Sequence, residues 1–291
     1  MKHYKPVTIR ECLEPTTLEL IFIITQRLNK LGISYITDHD NYIYFNGGTE
    51  TMLVAHMDTC IRNKDLVILE NNGIYTAKDS ILGADDRAGI YAILKILESG
   101  LRPSFLFTNY EESGLIGVRQ FIKEDLLNTD NLKLFVEIDR QGCNDFVFYS
   151  SSLPTEVKYY AESFGFVETW GILSDVQELT EKTRIPHINV SAGYYNQHST
   201  SERLHLDELE LTISRVIRLL NQPIEELYEV QEVFDSTYGY GYYPANYGID
   251  YEDDVAFAKE TFSCRATSSG KKFRCPTQYT YDRMTRNIYE I

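Results

Sequence analysis

The sequence predicts an α/β fold, a sandwich of helices around a mixed and largely parallel sheet. Two observations predict it. First, from residue 84 onward, short strand-like runs rich in β-branched and aromatic residues alternate with segments whose hydrophobic residues have helical spacing. Second, acidic or histidine side chains follow several of the strand-like runs. The chain has 291 residues, of which 43% are hydrophobic and 24% charged, as is typical of globular proteins. This length permits one large domain or two smaller ones.

Hydrophobic periodicity and turn residues define the predicted elements in order. The first helix ends at Gly32, and Asn46-Gly47-Gly48 predicts a hairpin between the second and third strands. Asn71-Asn72-Gly73 predicts another hairpin between the fourth and fifth strands. The predicted helices are 17–31, 87–98, 114–122, 156–163, 175–182 and 206–220, and the predicted strands are 33–36, 42–45, 51–55, 67–69, 74–76, 104–108, 133–138, 146–149 and 187–190.

The composition changes after residue 222. Residues 223–262 hold ten acidic side chains and a single lysine, and they include a Tyr/Gly-rich stretch. Residues 263–291 hold six basic and two acidic side chains. We therefore expect a main domain over residues 1–222 and a C-terminal extension over residues 223–291.

Charge and cysteine usage argue against several classes of protein. The net charge of −15 would repel phosphate backbones and anionic lipids, so we expect neither a nucleic acid nor a membrane as partner. No apolar run reaches 18 residues, and residues 1–14 do not resemble a signal peptide, which predicts a cytoplasmic protein. The five cysteines are scattered without a CxxC spacing, so neither a disulfide framework nor a thiolate zinc site is predicted.

Five short stretches carry side chains suited to chemistry, near the ends of predicted strands, where open α/β sheets bind their ligands. Asp58 lies two residues after His56 in an extended segment, so its carboxylate can fix the imidazole tautomer while the other ring nitrogen binds a metal. Taken singly, each stretch is also compatible with a polar strand end or an acidic helix start. Together they suit a two-metal site with nitrogen and oxygen ligands, as zinc, cobalt or manganese would use. The residues are His56, Asp58, Asp85, Asp86, Glu111, Glu112, Asp139 and His198.

With these motifs in this order, residues 15–222 resemble the zinc-dependent exopeptidases, a superfamily of aminopeptidases, dipeptidases, carboxypeptidases and related deacylases. The resemblance implies a three-layer sandwich of the phosphorylase/hydrolase-like type and two divalent ions, zinc first, with cobalt or manganese as alternatives. It also implies a cis peptide bond after the bridging acid, between Asp85 and Asp86. The implied roles are His56 and Asp139 for one ion, Glu112 and His198 for the other, Asp85 as the bridge, Asp58 to orient His56, and Glu111 as general base.

Two short spacings narrow the subfamily that the sequence resembles. Only 58 residues separate Asp139 from His198, too few for an inserted lid domain, and only 26 separate Asp58 from Asp85, too few for an extra β-domain. The chain thus resembles a compact, lidless aminopeptidase or dipeptidase that acts on peptide N-termini, and its oligomeric state stays open. An N-acyl amino acid deacylase or desuccinylase is the first alternative, and a non-catalytic binding module on this scaffold is the second.

Other polar residues near these motifs have two interpretations each. We expect His187, in an apolar strand, and His205, at a helix start, to be structural. Asp175 can line the pocket, or Ser174 or Asp175 can cap the helix that begins there. Tyr194 and Tyr195 can stabilise an oxyanion or pack in the core.

Overall fold

The computed structural model describes residues 5–38, 41–60, 65–149, 153–171, 173–224, 263–265 and 272–274. The helices are α1 (Ile9–Leu13), α2 (Thr17–Lys30), α3 (Ala84–Glu98), α4 (Ile116–Lys123), α5 (Thr155–Ser163), α6 (Asp175–Thr183) and α7 (Leu206–Leu220). The strands are β1 (Ile36–Asp38), β2 (Tyr42–Phe45), β3 (Thr51–His56), β4 (Ile68–Asn71), β5 (Ile74–Ala77), β6 (Ser104–Thr108), β7 (Leu134–Arg140), β8 (Asp145–Val147), β9 (Val167–Thr169), β10 (His187–Ser191), β11 (Tyr194–Tyr195), β12 (Arg203–His205), β13 (Ser263–Arg265) and β14 (Lys272–Arg274).

Within the described residues, eight strands form the main sheet in the order β1-β2-β6-β3-β7-β10-β8-β9. The four central strands β6, β3, β7 and β10 are parallel to one another, whereas β1, β2 and β8 pair antiparallel with their inner neighbours. A smaller sheet has the order β11-β12-β5-β4. The α/β fold with a mixed, largely parallel sheet is therefore confirmed.

Helices cover both faces of the main sheet, which gives three layers. Successive residues of β3 alternate between the two faces. Leu53 and Ala55 pack in a core with residues of α3 and α7, while Met52 and Val54 pack with residues of α4 and α6. All four side chains are fully buried. Full burial of a leucine, valine or methionine side chain contributes roughly 1.5–3 kcal/mol.

One predicted hairpin is wrong and the other is confirmed. Strands β4 and β5 pair antiparallel, as predicted. Strands β2 and β3 do not pair, because β6 lies between them and bonds to both. The connection at Gly47 instead crosses the start of β6, where its N–H donates to Ser104 Oγ at 3.0 Å. A Cβ at position 47 would lie 2.2 Å from the carbonyl oxygen of Arg102, so only glycine permits this crossing.

Element boundaries otherwise match the sequence to within a few residues. Helix α7 has the predicted bounds, and α2 begins one residue after Thr16, whose side chain and that of Glu19 form a reciprocal capping box. Helix α1 and the strands β9, β11, β12, β13 and β14 were not predicted, since each is only two to five residues long and shows too little of its period.

The predicted C-terminal extension lies outside the described residues, except for 223–224, β13 and β14. Strands β13 and β14 pair antiparallel. Ile224 belongs to the main body, since it is buried and its carbonyl accepts a 2.7 Å hydrogen bond from Lys133 Nζ. Among the described helices, none is both long enough and apolar enough to span a bilayer.

Candidate metal centre

Strand β3 delivers the first two predicted residues to the carboxyl edge of the sheet. Its six residues are all buried, and its last residue, His56, pairs with Thr108 at the end of the parallel strand β6. Asp58 follows two residues later, and its Oδ1 lies 3.4 Å from Nδ1 of His56. The Nε2 atom of the same ring is therefore the one that faces the other predicted ligands.

Helix α3 brings the acidic pair to the same edge. Gly89 allows its close approach to β7, since a Cβ there would lie 2.3 Å from the carbonyl oxygen of Ile138. The peptide bond between Asp85 and Asp86 is cis, as the resemblance implied. Asp86 is fully buried and accepts hydrogen bonds from the backbone N–H groups of His56 at 3.2 Å and Gly89 at 3.0 Å. Asp86 thus ties the start of α3 to the end of β3.

Asp85 lies between the two predicted metal-binding histidines. Its Oδ1 is 3.1 Å from Nε2 of His56, and its Oδ2 is 3.0 Å from Nε2 of His198. Each oxygen of one carboxylate therefore faces a different imidazole. This is the arrangement that a carboxylate shared between two ions requires.

The other two predicted ligands lie on opposite sides of Asp85. Oδ1 of Asp139 is 3.7 Å from Nε2 of His56, and Oε1 of Glu112 is 2.7 Å from Nε2 of His198. The structure thus places together two groups of potential ligands, one around each histidine, with Asp85 common to both.

The chemistry of these atoms fits divalent cations. Oε1 of Glu112 is buried and, among the described residues, accepts no hydrogen bond in spite of the short distance to His198. The two atoms therefore lie close without the geometry of a hydrogen bond, as expected of two ligands directed at a common ion. In the other half of the cluster, a ring nitrogen of His56 and a carboxylate oxygen from each of Asp85 and Asp139 lie within 4.8 Å of one another. Imidazole nitrogen and carboxylate oxygen are the donors that zinc and manganese accept.

The histidines of this cluster have raised pKa values. Burial alone would lower the pKa of His56, but the charge of Asp139 and the contacts with Asp58 and Asp85 raise it well above its usual value. Burial also acts to lower the pKa of His198, and its neighbouring carboxylates again raise it well above the usual value. These carboxylates therefore attract positive charge strongly.

The carboxyl groups show the converse effect. Burial raises the pKa values of Glu111, Glu112 and Asp139. Burial acts in the same direction on Asp85, but its contacts with the two histidines outweigh that effect and hold its pKa well below the usual value. So many carboxyl groups in one buried cluster repel each other, and bound cations would relieve that repulsion.

Asp58 does more than contact the histidine. Its two oxygens accept the backbone N–H groups of Glu111 and Glu112, both at 3.1 Å. The Asp58 carboxylate thus links the end of β3 to the loop that follows β6. The sequence pattern did not predict this role, since the partners lie more than fifty residues apart.

Glu202 is another residue whose role the sequence does not predict. It is buried, and its carboxylate accepts backbone N–H groups at the start of α3, from Gly83 and Ala84 at 2.8 Å and from Asp85 at 3.2 Å. Burial raises its pKa to about 7. Because Glu202 belongs to the same loop as His198, it holds the two halves of the predicted centre together.

The tyrosines next to the His198 loop differ from each other. Tyr194 is buried and donates a 3.0 Å hydrogen bond to Oδ1 of Asp139, so it orients a predicted ligand. Tyr195 instead donates to Glu208 Oε2 at 2.6 Å. Asn189 also holds Asp139 in place, because Oδ1 of Asn189 accepts a 3.0 Å hydrogen bond from the backbone N–H of Asp139.

Two further acids lie beneath the centre. Glu137 on β7 is fully buried, and burial followed by the charges of Asp175 and Glu111 raises its pKa well above the usual value. Asp175 accepts a short hydrogen bond from Thr108 Oγ1, and burial raises its pKa to about 7. Ser174, which precedes α6, makes no side-chain cap bond, so the capping interpretation is not what the structure shows. Glu137 could have been identified from the sequence, because it is the one charged residue within the apolar run 134–138 of β7.

His187 and His205 lie apart from the predicted ligands. Nε2 of His187 accepts the Tyr149 N–H at 2.8 Å. His205 immediately precedes α7, and its Nδ1 is 3.5 Å from Glu208 Oε1. Both histidines therefore have the structural surroundings that the sequence predicted.

Comparison with known proteins shows the fold. No family model matches the sequence, and no curated protein matches it. The structure is similar to that of aminopeptidase PepT from Bacillus cereus, with a TM-score of 0.57 and 16% sequence identity. The similarity covers 73% of this chain and 96% of the PepT chain. A tripeptidase from Staphylococcus aureus is 17% identical with a TM-score of 0.55, over 74% and 98%. The Pyrococcus horikoshii TET1 peptidase, which can assemble into a tetrahedron or an octahedral shell, is 16% identical with a TM-score of 0.53, over 73% and 99%. The chain therefore has the α/β fold of these solved peptidases.

Proposed function

We propose that this chain is a co-catalytic di-metal exopeptidase that hydrolyses the peptide bond at the N-terminus of peptides, as an aminopeptidase or dipeptidase. The observation that carries the proposal is the position of Asp85, whose two oxygens face His56 and His198. The peptidases that share the fold support the same activity. We expect the enzyme to act in the cytoplasm, because Cys12, Cys60 and Cys143, the cysteines for which the structure gives a pairing state, are free thiols.

The residues divide into two sets of ligands. His56 and Asp139 would hold one ion, and Glu112 and His198 would hold the other. Asp85 would bind both ions. When bound, the ions would polarise the scissile carbonyl and lower the pKa of the attacking water. Zinc is the metal we expect first, with cobalt or manganese as alternatives, because all these donors are imidazole nitrogens or carboxylate oxygens.

Glu111 is the residue we propose as general base. Its Oε2 lies 3.9 Å from Nε2 of His56, and its side chain is 16% exposed, so it borders the cluster without being enclosed by it. Asp58 fixes its backbone N–H. From this position, Oε2 can accept a proton from the attacking water and return it to the leaving amine.

Replacement of Glu111 tests the proposal. In Glu111→Gln we expect the turnover of amino-acid anilides and dipeptides to fall by about 10²–10⁴-fold, because the amide cannot accept the proton. The content of metal, measured by elemental analysis, should stay near that of the wild type. Glu156→Gln, at an exposed glutamate of α5, is the matched control. Undiminished turnover in Glu111→Gln would reject the assignment, and metal binding without turnover of any substrate by the wild type would favour the binding-module alternative.

One observation supports hydrolysis of N-acyl amino acids as a second candidate function. Such substrates carry a carboxylate, which a positioned arginine can bind. Arg140 directly follows Asp139, and its buried Nε donates to no acceptor among the described residues. The substrate panel should therefore include N-acyl amino acids. If Arg140→Gln raises KM for these substrates and leaves amino-acid anilides unaffected, the deacylase candidate gains over the aminopeptidase.

A further inference from the structure

A cysteine lies beside the two predicted ligands of the second ion. Cys60 is 3% exposed, and its Sγ donates a 3.3 Å hydrogen bond to Oε2 of Glu112. Its sulfur, a carboxylate oxygen of Glu112 and a ring nitrogen of His198 all lie within 4.8 Å of one another. The sequence predicts a centre without thiolate, because Cys60 belongs to no cysteine motif.

We propose that Cys60 is a ligand of the ion that Glu112 and His198 hold. This inference rests on the proposed di-metal function and deepens it, because it makes the two halves of the centre chemically different. Among the residues that the structure describes, the half around His56 offers only nitrogen and oxygen ligands. The half around His198 adds sulfur, which favours Zn²⁺, Co²⁺ or Cd²⁺ over Mg²⁺ and Mn²⁺.

A second observation, independent of the thiol, points to a ligand at this place. The side chain of Glu112 is only 10% exposed, and its Oε1 accepts no hydrogen bond from the described residues. The other oxygen, Oε2, faces Cys60. One carboxylate therefore lies between the nitrogen of His198 and the sulfur of Cys60, so that the three donors surround a common space.

The chain geometry explains how one segment can serve both ions. Cys60 lies four residues after His56, and Asp58 between them anchors the segment to the Glu111–Glu112 backbone. The anchored segment places His56 on one side of Asp85 and Cys60 on the side of His198. When the sulfur binds the ion, the thiol proton leaves to solvent and the hydrogen bond to Glu112 is replaced by the metal bond.

Cobalt spectroscopy tests this ligand directly. The metal-free full chain is titrated with Co²⁺ to two equivalents while absorption is recorded. Visible d–d bands report bound cobalt, and an intense near-ultraviolet charge-transfer band reports a sulfur ligand. We expect the sulfur band in the wild type, its loss in Cys60→Ser, and its retention in Cys143→Ser, a half-buried cysteine that serves as the matched control. Serine keeps a hydrogen-bond donor to Glu112, so it removes only the sulfur.

Competition with a chromophoric chelator gives a second measurement. In Cys60→Ser the Kd of the Cd²⁺ ion that the His198 half holds should rise roughly tenfold or more, with a smaller rise for Mn²⁺. Visible cobalt bands without the sulfur band in the wild type would overturn the Cys60 ligand and leave the di-metal centre intact. A sulfur band that survives in Cys60→Ser would also overturn it. No cobalt binding at all would instead reject the proposed function itself.

Discussion

Two histidines of the same sheet show how position decides chemistry. His56 ends β3 and His187 begins β10, and their side chains are 1% and 0% exposed. The pKa of His56 is raised well above the usual value, whereas burial lowers that of His187 to about 3. Equal burial thus accompanies opposite shifts of pKa.

The difference arises from the edge of the sheet at which each residue lies. β3 and β10 both pair parallel with β7, so the end of β3 and the start of β10 lie at opposite edges. At the carboxyl edge, His56 contacts Asp58 and Asp85. At the amino edge, His187 stacks on Phe148 with ring centroids 4.6 Å apart. A histidine becomes a candidate ligand through the carboxylates around it and not through burial.

The largest effect should follow from removal of the carboxylate that both candidate ligand sets share. In Asp85→Ala we expect the metal content to fall from near two ions per chain to less than one, and turnover to fall by at least about a thousandfold. Elemental analysis after gel filtration and the anilide assay measure these changes. Asp130→Ala, at an exposed loop aspartate, is the control. Two ions retained in Asp85→Ala would contradict the bridging role.

The contrast between the two histidines also shows what a sequence can predict. The motif around His56 is local, since His56 and Asp58 lie two residues apart, so the sequence alone identifies it. The contacts of Glu202 with Gly83 and Ala84 join residues almost 120 positions apart, and no local pattern encodes them. The same limit explains the wrong hairpin, because the insertion of β6 between β2 and β3 is a long-range event.

A smaller effect is expected when the ligands stay and their support is removed. In Asp58→Ala the backbone N–H groups of Glu111 and Glu112 lose their common acceptor, and Nδ1 of His56 loses the carboxylate that lies 3.4 Å away. The Kd of zinc, measured by chelator competition, should rise about 10–100-fold, as is typical when a partner of a metal-binding histidine is removed. Circular dichroism checks that the variant is folded. An unchanged Kd would show that neither His56 nor the Glu111–Glu112 loop depends on Asp58.

The smallest effect concerns the structural histidine and appears only in the pH dependence of stability. The folded chain holds the pKa of His187 at about 3, below the ordinary value of 6.5, so between these pH values the unfolded chain binds the extra proton. The contribution of neutral His187 to stability is therefore complete above pH 6.5. It falls by about 1.4 kcal/mol, or tenfold in the folding equilibrium, for each pH unit below that.

Comparison with His187→Gln isolates this contribution, because the amide oxygen can still accept the Tyr149 N–H but does not titrate. Urea unfolding of both proteins between pH 5 and 7 gives the difference in their free energies of unfolding. The pH-dependent contributions of the carboxyl groups are the same in both proteins, so they cancel in this difference. We expect the wild type to lose its advantage as the pH falls. A difference that stays constant with pH would mean that folding leaves the pKa of His187 unchanged. The contrast between the two edges of the sheet would then consist only of the raised pKa of His56.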